Sequence, residues 1–448
     1  MLEFIDLKNV GPAHEMKMDL APRLNLITGD NGLGKTLLLD AAWWALTRTW
    51  PLTWGGRGIV PDREGAAIEW REHRGDEVVS CRAEYNFADS RWGRTESSRS
   101  AGAKAHEESQ LQGPLVLYLR VDGGISVHDP LRKGEDFRVP FGQRVWGTSN
   151  AYQFRDPDIW DGLAFSNSGK LVCEGLVRDV SRWAEQAGSP NFEQLSKLVE
   201  QLAGDEPFRL TRKVERVYVD DPRDFPVVAG PAGNIPVAHS PAGLRRILGL
   251  AYLVVWARRE HTIAAELKKR APNRSLVLLI DEVESHLHPK WQRTILPSIL
   301  RALNQDQNLQ VIATTHSPMV LASVEPLFDV DKDAWFDMDL ERRQAVLRKR
   351  PYVRHGEIGN WLTSDAFDLK EPRSLEGEQA IVAAQAVLDA PTPSAKAIQD
   401  ADKQLRKAGL PDIDPFWVQW GYFKQRHTAA PKEYTVKGKS NGKRERKP

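Results

Sequence analysis

Only two cysteines, Cys81 and Cys173, occur in the 448 residues. They exclude a disulfide framework and match no metal-ligand spacing, so a reducing compartment is the simplest setting. No apolar run reaches the roughly 18 residues that a membrane-spanning helix needs. The opening residues, MLEFIDLKNV, lack the basic-then-apolar order of a secretory leader. A cytoplasmic protein without a membrane partner is expected. Neither sign of charge prevails: 62 Lys and Arg stand against 61 Asp and Glu. That balance excludes a globally basic nucleic-acid binder but leaves room for a local patch. No internal repeat is found. What is present is an ordinary balance, 41% hydrophobic and 27% charged, enough to bury a sizeable core, and the length suits two or three structural units or one large domain with insertions.

Apolar alternation at the N-terminus predicts strands through Leu20, and Leu24-Asn25-Leu26-Ile27 reads as a short buried strand. A helix is expected from Thr36 to about Arg48, a strand pair within 66–85, and a strand at Leu115–Val121. The polar stretch 87–112 reads as a surface loop whose basic residues are able to touch a nucleic acid. Residues 125–160 show no period. Helices follow near 173–187 and 191–204, and a strand near 209–219. Leu244, Ile247, Leu248, Ala251, Val254 and Val255 then share one face of a long helix, 240–268. The strand Ser275–Ile280, a helix from Pro289 to Leu303 and the strand Leu309–Thr314 make a parallel βαβ unit. Beyond about 335 the reading is a polar linker, then helices near 374–389 and 394–408. The basic residues after 426 read as a disordered tail.

Gly29-Asp30-Asn31-Gly32-Leu33-Gly34-Lys35-Thr36 fits G-x-x-x-x-G-K-[ST], the phosphate-binding loop. The glycines let backbone N–H groups converge on phosphate oxygens, and the following helix start faces the anion with its positive end. Lys35 supplies a point charge and Thr36 a hydroxyl for Mg²⁺. Asp281-Glu282 closes a buried strand, which places both carboxylates at the edge of a parallel sheet beside the loop. Asp281 is the expected metal ligand. Glu282 is the expected base that orients or deprotonates water. His316 ends the next strand, within expected reach of a terminal phosphate.

Together these residues resemble an ABC-type ATPase head of the branch shared by RecF, SMC and OLD proteins. More narrowly, the segments from Ser240 to Arg246, Asp281 to Pro289 and Thr315 to Pro318 resemble stand-alone ATPases of the AAA_15/AAA_21 type. Many of those accompany an effector gene in anti-phage operons such as Septu. The resemblance implies an α/β P-loop fold with a mixed sheet, an inserted helical lobe and a mainly helical extension. The expected boundaries are 1–125 and 271–330 for the ATPase lobe and 126–270 for the insert. The extension covers 331–425, a candidate partner-binding region, and the tail covers 426–448. ATP and Mg²⁺ are the implied ligands. A homodimer or higher oligomer is the implied assembly, with Ser240 and Gly243 meeting the phosphate held by the other subunit.

Ser-Pro-Ala-Gly at 240–243 departs from the Ser-Gly-Gly-Gln of that family, and Ser240 also suits a helix N-cap with Pro241 at the first helical position. Gln143 and Gln153 are both candidates for a metal-sensing glutamine. His286-x-His288 has no third ligand nearby. Asp329-x-Asp331 and Asp337-x-Asp339 mimic a nuclease element but read as turn and hairpin residues. Three functions stay open: an ATPase controlling a separately encoded effector such as a nuclease, a repair-type head binding DNA directly, and a low-turnover scaffold held together by ATP.

Overall fold

A computed structural model of the chain describes residues 1–51, 58–75, 77–93, 95–96, 111–132, 151–165, 169–304, 308–367 and 369–428. Gln143, most of the polar stretch 87–112 and the tail beyond 428 lie outside the described residues.

The chain begins with β1 (Leu2–Lys8), β2 (Glu15–Asp19) and β3 (Leu24–Gly29), then α1 (Lys35–Thr47). β4 (Ala67–Arg74), β5 (Glu77–Asn86), β6 (Arg91–Trp92) and β7 (Thr95–Glu96) follow, then β8 (Leu115–Leu119), β9 (Ile125–His128) and β10 (Ala151–Phe154). Next come α2 (Asp156–Asp161), β11 (Leu163–Ala164), β12 (Leu171–Cys173), α3 (Leu176–Glu185) and α4 (Pro190–Ala203). β13 (Arg209–Arg216), β14 (Asp224–Gly230) and β15 (Gly233–Pro236) lead into α5 (Ala242–Leu267). The series β16 (Leu276–Ile280), α6 (Pro289–Gln292), α7 (Ile295–Leu303), β17 (Leu309–Thr314) and α8 (Pro318–Val324) precedes β18 (Asp333–Glu341), β19 (Gln344–Arg350) and α9 (Ile358–Leu362).

Eight strands form the main sheet in the order β10-β9-β8-β16-β17-β3-β18-β19. The five central strands, β8, β16, β17, β3 and β18, are parallel, while β9, β10 and β19 pair antiparallel at the flanks. Parallel strands bury both faces, which is why LVLYL, LVLLI and LQVIAT read as continuous apolar runs. The two-residue period of a strand divides each run between two cores. Leu115, Leu117, Leu276 and Leu278 face the helices α3, α4, α5 and α7. Val116, Tyr118, Val277 and Leu279 face α1 and an antiparallel sheet, β2-β1-β4-β5-β6, to which β7 adds through β5. All five parallel strands therefore end at one edge, and that edge carries the site.

Three parts differ from the sequence reading. Residues 333–350, read as polar linker with Asp337 and Asp339 as turn or hairpin residues, are the β18–β19 hairpin, and β18 lies directly against β3. Its acidic residues disguise a buried strand because their partners are distant in sequence: Arg23 holds Asp333, and Thr28 donates to Asp337. The region 126–270 is not helical throughout. β9 and β10 join the main sheet, and β13-β14-β15 form a sheet of their own. The helix expected over 289–303 is two pieces, α6 and α7.

Contacts divide the chain into one unit, Met1–Phe367, and a second, Asp368–Pro448. The second contains α10 (Leu375–Leu388), α11 (Ala395–Lys407) and α12 (Phe416–Thr428). Ser374 and Ser394 cap the first two of these helices by accepting from Gly377 and Ala397. Ile381, Ala384, Leu405 and Trp420 form their shared core.

Candidate active site

β3 delivers the phosphate-binding loop between β17 and β18. Gly29 has φ +129°, and a Cβ there would lie 2.1 Å from the Met338 carbonyl oxygen, so β18 leaves room only for glycine. Gly34 is the N-cap of α1, and Gly32 likewise has positive φ. Asp30, Asn31 and Gly32 are exposed, whereas Leu33 is buried and anchors the loop. The Lys35 Nζ donates to the carbonyls of Gly29 at 2.7 Å and Asp30 at 2.6 Å, which holds the ammonium over the loop. Burial lowers the Lys35 pKa from the ordinary lysine value, and Asp281 and then Asp30 pull it back.

The next strands bring the carboxylates to the loop. Thr36 Oγ1 donates to Asp281 Oδ2 at 2.9 Å, and Thr314 Oγ1 donates to Asp281 Oδ1 at 2.8 Å. Asp281 is 2% exposed, so both of its oxygens are oriented by these hydroxyls rather than by bulk water. Glu282 adopts a left-handed backbone at φ +48°, uncommon for a residue with a side chain. Its N–H donates to Thr314 Oγ1 at 2.8 Å, which pins that turn. His316 stands past the end of β17. Burial, and then the Lys35 ammonium, lowers its pKa below the ordinary histidine value, while Glu284, Glu282 and Asp281 oppose the shift. Lys35, Asp281, Glu282 and His316 therefore share one electrostatic environment.

Ser240 and Gly243 are placed differently. Pro241, not Ser240, occupies the N-cap of α5. The Ser240 hydroxyl is buried and has no hydrogen-bond partner among the described residues, so it does not serve as a cap. Gly243 packs closely: a Cβ there would fall 2.2 Å from the Trp291 ring. That contact gives Gly243 a packing role within its own chain. Arg245 pairs with Asp156 at 3.1 Å and lies 4.0 Å over the Trp160 ring. Arg246 donates to the backbone carbonyls of Arg120 and Asp281, both at 3.3 Å. Arg246 thus ties the long helix to the strand that ends at Asp281.

Gln153 accepts from Arg120 and Ser126 on the far flank of the sheet. Its strand lies three strand spacings, roughly 14 Å, from the strand ending at Asp281. His288 caps α6 by accepting from the Lys290 N–H at 3.3 Å. Asp329 accepts from the Asp331 N–H and pairs with Lys332, and Asp337 is engaged by Thr28, so these acids work as turn and hairpin residues. Among the described residues no group of three or more His, Cys, Asp or Glu side chains is able to hold a metal ion. Sequence reasoning missed Thr314 and Glu284. The Thr-Thr pair before His316 and the second acid two residues after Glu282 were the available signals.

Comparison with known proteins adds relatives. A family model described as "AAA domain, putative AbiEii toxin, Type IV TA system" matches residues 178–322, and a second described as "AAA domain" matches residues 5–99. The "Retron Ec83 probable ATPase" of Escherichia coli is 32% identical over 82% of this chain and 76% of its own length. The "Septu protein PtuA" of Bacillus thuringiensis is 33% identical over 87% of this chain and 89% of its own. An SMC head domain from Pyrococcus furiosus aligns over 78% of this chain and 96% of that one at 12% identity and TM-score 0.44, too distant for residue roles to be carried across. No helix among the described residues is long and apolar enough to cross a membrane.

Proposed function

The chain belongs to the family of ABC-type ATPases that includes the probable ATPase of retron Ec83 and the Septu protein PtuA, and on that premise we propose that it binds ATP with Mg²⁺ and hydrolyses it. The hydrogen bond between Thr36 and Asp281 carries this reading. It joins residues 245 apart in sequence and couples a phosphate-binding loop to a strand-end carboxylate at 2.9 Å.

The residues fit the two ligands. The N–H groups around the loop and at the start of α1 bind phosphate oxygens, aided by the helix dipole. Lys35 adds a positive charge whose attraction to phosphate is strengthened by its low-dielectric surroundings. The hydroxyl of Thr36 and the carboxylate of Asp281 are hard oxygen donors suited to Mg²⁺, which when bound neutralises charge on the phosphates. Glu282 orients a water molecule and takes its proton. Burial and the Lys35 ammonium favour the neutral form of His316, and its ring N–H acts as a hydrogen-bond donor toward the terminal phosphate.

The reading extends to a dimer with composite sites. Ser240 lies just ahead of α5, and its unpartnered hydroxyl is free to donate to a phosphate held by a second copy. A twofold axis would give two identical sites. Because the hydroxyl is covered within one chain, the segment must shift on closure. Control of a separately encoded effector, such as a nuclease in anti-phage defence, is supported by family membership alone.

Trapping the closed state tests the proposal. Glu282→Gln with ATP and Mg²⁺ is expected to accumulate a dimer by mass photometry, and adding Ser240→Arg is expected to abolish it. A Glu282→Gln protein that binds ATP yet stays in its nucleotide-free assembly state would reject the composite site.

A further inference from the structure

We propose that Glu284 is the positioning residue for His316, acting through the backbone that carries the imidazole. The inference rests on the ATPase reading above and assigns a role to an acid that the reading leaves unused.

The geometry follows from how the chain leaves β16. Glu282 turns through its left-handed conformation, and the Val283 N–H then donates to the Thr314 carbonyl at 3.1 Å. The chain now lies across the end of β17, with Val283 buried beneath it. Glu284 reaches back over that end. Its Oε2 accepts from Thr315 Oγ1 at 2.7 Å and its Oε1 accepts from the His316 N–H at 2.5 Å. Hydrogen bonds to an ionised acceptor are roughly twice as strong as neutral ones. One carboxylate thus clamps the two residues that set where the imidazole stands.

The clamp is one of three. The Thr315 N–H donates to Ile27 O at 3.0 Å, on the strand that delivers the phosphate-binding loop. Ser317 Oγ donates to Gln292 Oε1 at 2.9 Å. The segment 315–317 is therefore referenced to β3 on one side, to α6 on another and to the chain after Glu282 on the third. Without Glu284 the side nearest the base is released. Thr315 is fully buried, so neither its hydroxyl nor the adjoining amide gains ready compensation from solvent. An imidazole displaced by about 1 Å is enough to lower turnover by orders of magnitude without changing what is bound.

Two substitutions separate the clamp from general structural damage. Glu284→Gln keeps an acceptor for the His316 N–H, and its amide is able to donate to the Thr315 hydroxyl. Glu284→Ala removes both contacts. Glu284→Ala is expected to bind ATP within about threefold of wild type but to lower kcat about tenfold or more, while Glu284→Gln keeps kcat within about threefold. Nitrogen-detected NMR of the His316 ring, assigned with His316→Ala, gives a readout independent of hydrolysis. Its resonances should broaden or move in Glu284→Ala and stay near wild type in Glu284→Gln. If both variants leave kcat and the His316 signals unchanged, or if Glu284→Gln is as damaged as Glu284→Ala, the positioning role is wrong. A wild-type protein without turnover would instead overturn the ATPase reading, and the NMR comparison would still decide the role of Glu284.

Discussion

The Thr314 hydroxyl bridges Asp281 and the Glu282 backbone, and replacing Thr314 with valine isolates what that bridge contributes. Valine keeps the shape and the β-branched strand preference but removes the hydroxyl. That hydroxyl donates to Asp281 Oδ1 at 2.8 Å and accepts from the Glu282 N–H at 2.8 Å. Thr314 is fully buried, so solvent does not readily replace either bond. Losing a hydrogen bond to a carboxylate costs about 1.5–3 kcal/mol and one to a neutral amide about 1 kcal/mol, which together give roughly 2.5–4 kcal/mol. For a unit of 367 residues that corresponds to a drop in Tm of about 3–5 °C. Turnover is expected to fall further than stability suggests, by about tenfold or more, because the turn that aims Glu282 loses its anchor. Thr314→Ser, which keeps the hydroxyl, should turn over ATP at nearly the wild-type rate. Calorimetry and steady-state phosphate release measure the two effects. A Thr314→Val protein that melts within 1 °C of wild type, on the size scaling used above, and hydrolyses normally refutes the reasoning.

Gly243→Ala sets a Cβ 2.2 Å from the Trp291 ring, and Trp291 already packs edge-on against Phe208 at 5.8 Å. Overpacking of about 1–3 kcal/mol, less up to about 1 kcal/mol of helix preference, should lower Tm and leave ATP affinity of the single chain unchanged. A large loss of affinity without a change in melting would contradict the packing role. His316 in the nucleotide-free protein should titrate below 6.5 by NMR, and Lys35→Ala should raise its pKa by removing the nearby cation. The sign for stability follows: the unfolded chain takes up this proton first, so the contribution of neutral His316 is present above pH 6.5 and is lost as pH falls toward the lowered folded value. A His316 that titrates above 6.5 contradicts the burial argument. Glu282→Gln should bind ATP like wild type while slowing hydrolysis about 10²-fold or more, and a normal rate would move the base elsewhere.

The parts of the site legible in sequence are those built from contiguous residues. Gly29–Thr36 carries its own geometry, and a buried strand ending in Asp281-Glu282 announces which sheet edge it serves. The missed parts depend on long-range partners. β18 was hidden because Asp333 and Asp337 look exposed until Arg23 and Thr28, more than 300 residues away, are seen to hold them. β9 and β10 are four residues each and give periodicity little to work on. The tight approach of Trp291 to Gly243 is visible only in three dimensions. Thr314 and Glu284 read as ordinary strand-end and loop residues until the crossing of the chain over β17 puts their oxygens beside Asp281, Glu282 and His316.

Release of inorganic phosphate from ATP in the presence of Mg²⁺, measured side by side for wild type, Lys35→Ala and Glu282→Gln, tests the central claim most directly. The account predicts turnover by wild type, loss of both ATP binding and turnover in Lys35→Ala, and retained binding without turnover in Glu282→Gln. Wild-type protein that binds ATP but releases no phosphate, or a folded Lys35→Ala protein that hydrolyses ATP normally, contradicts it.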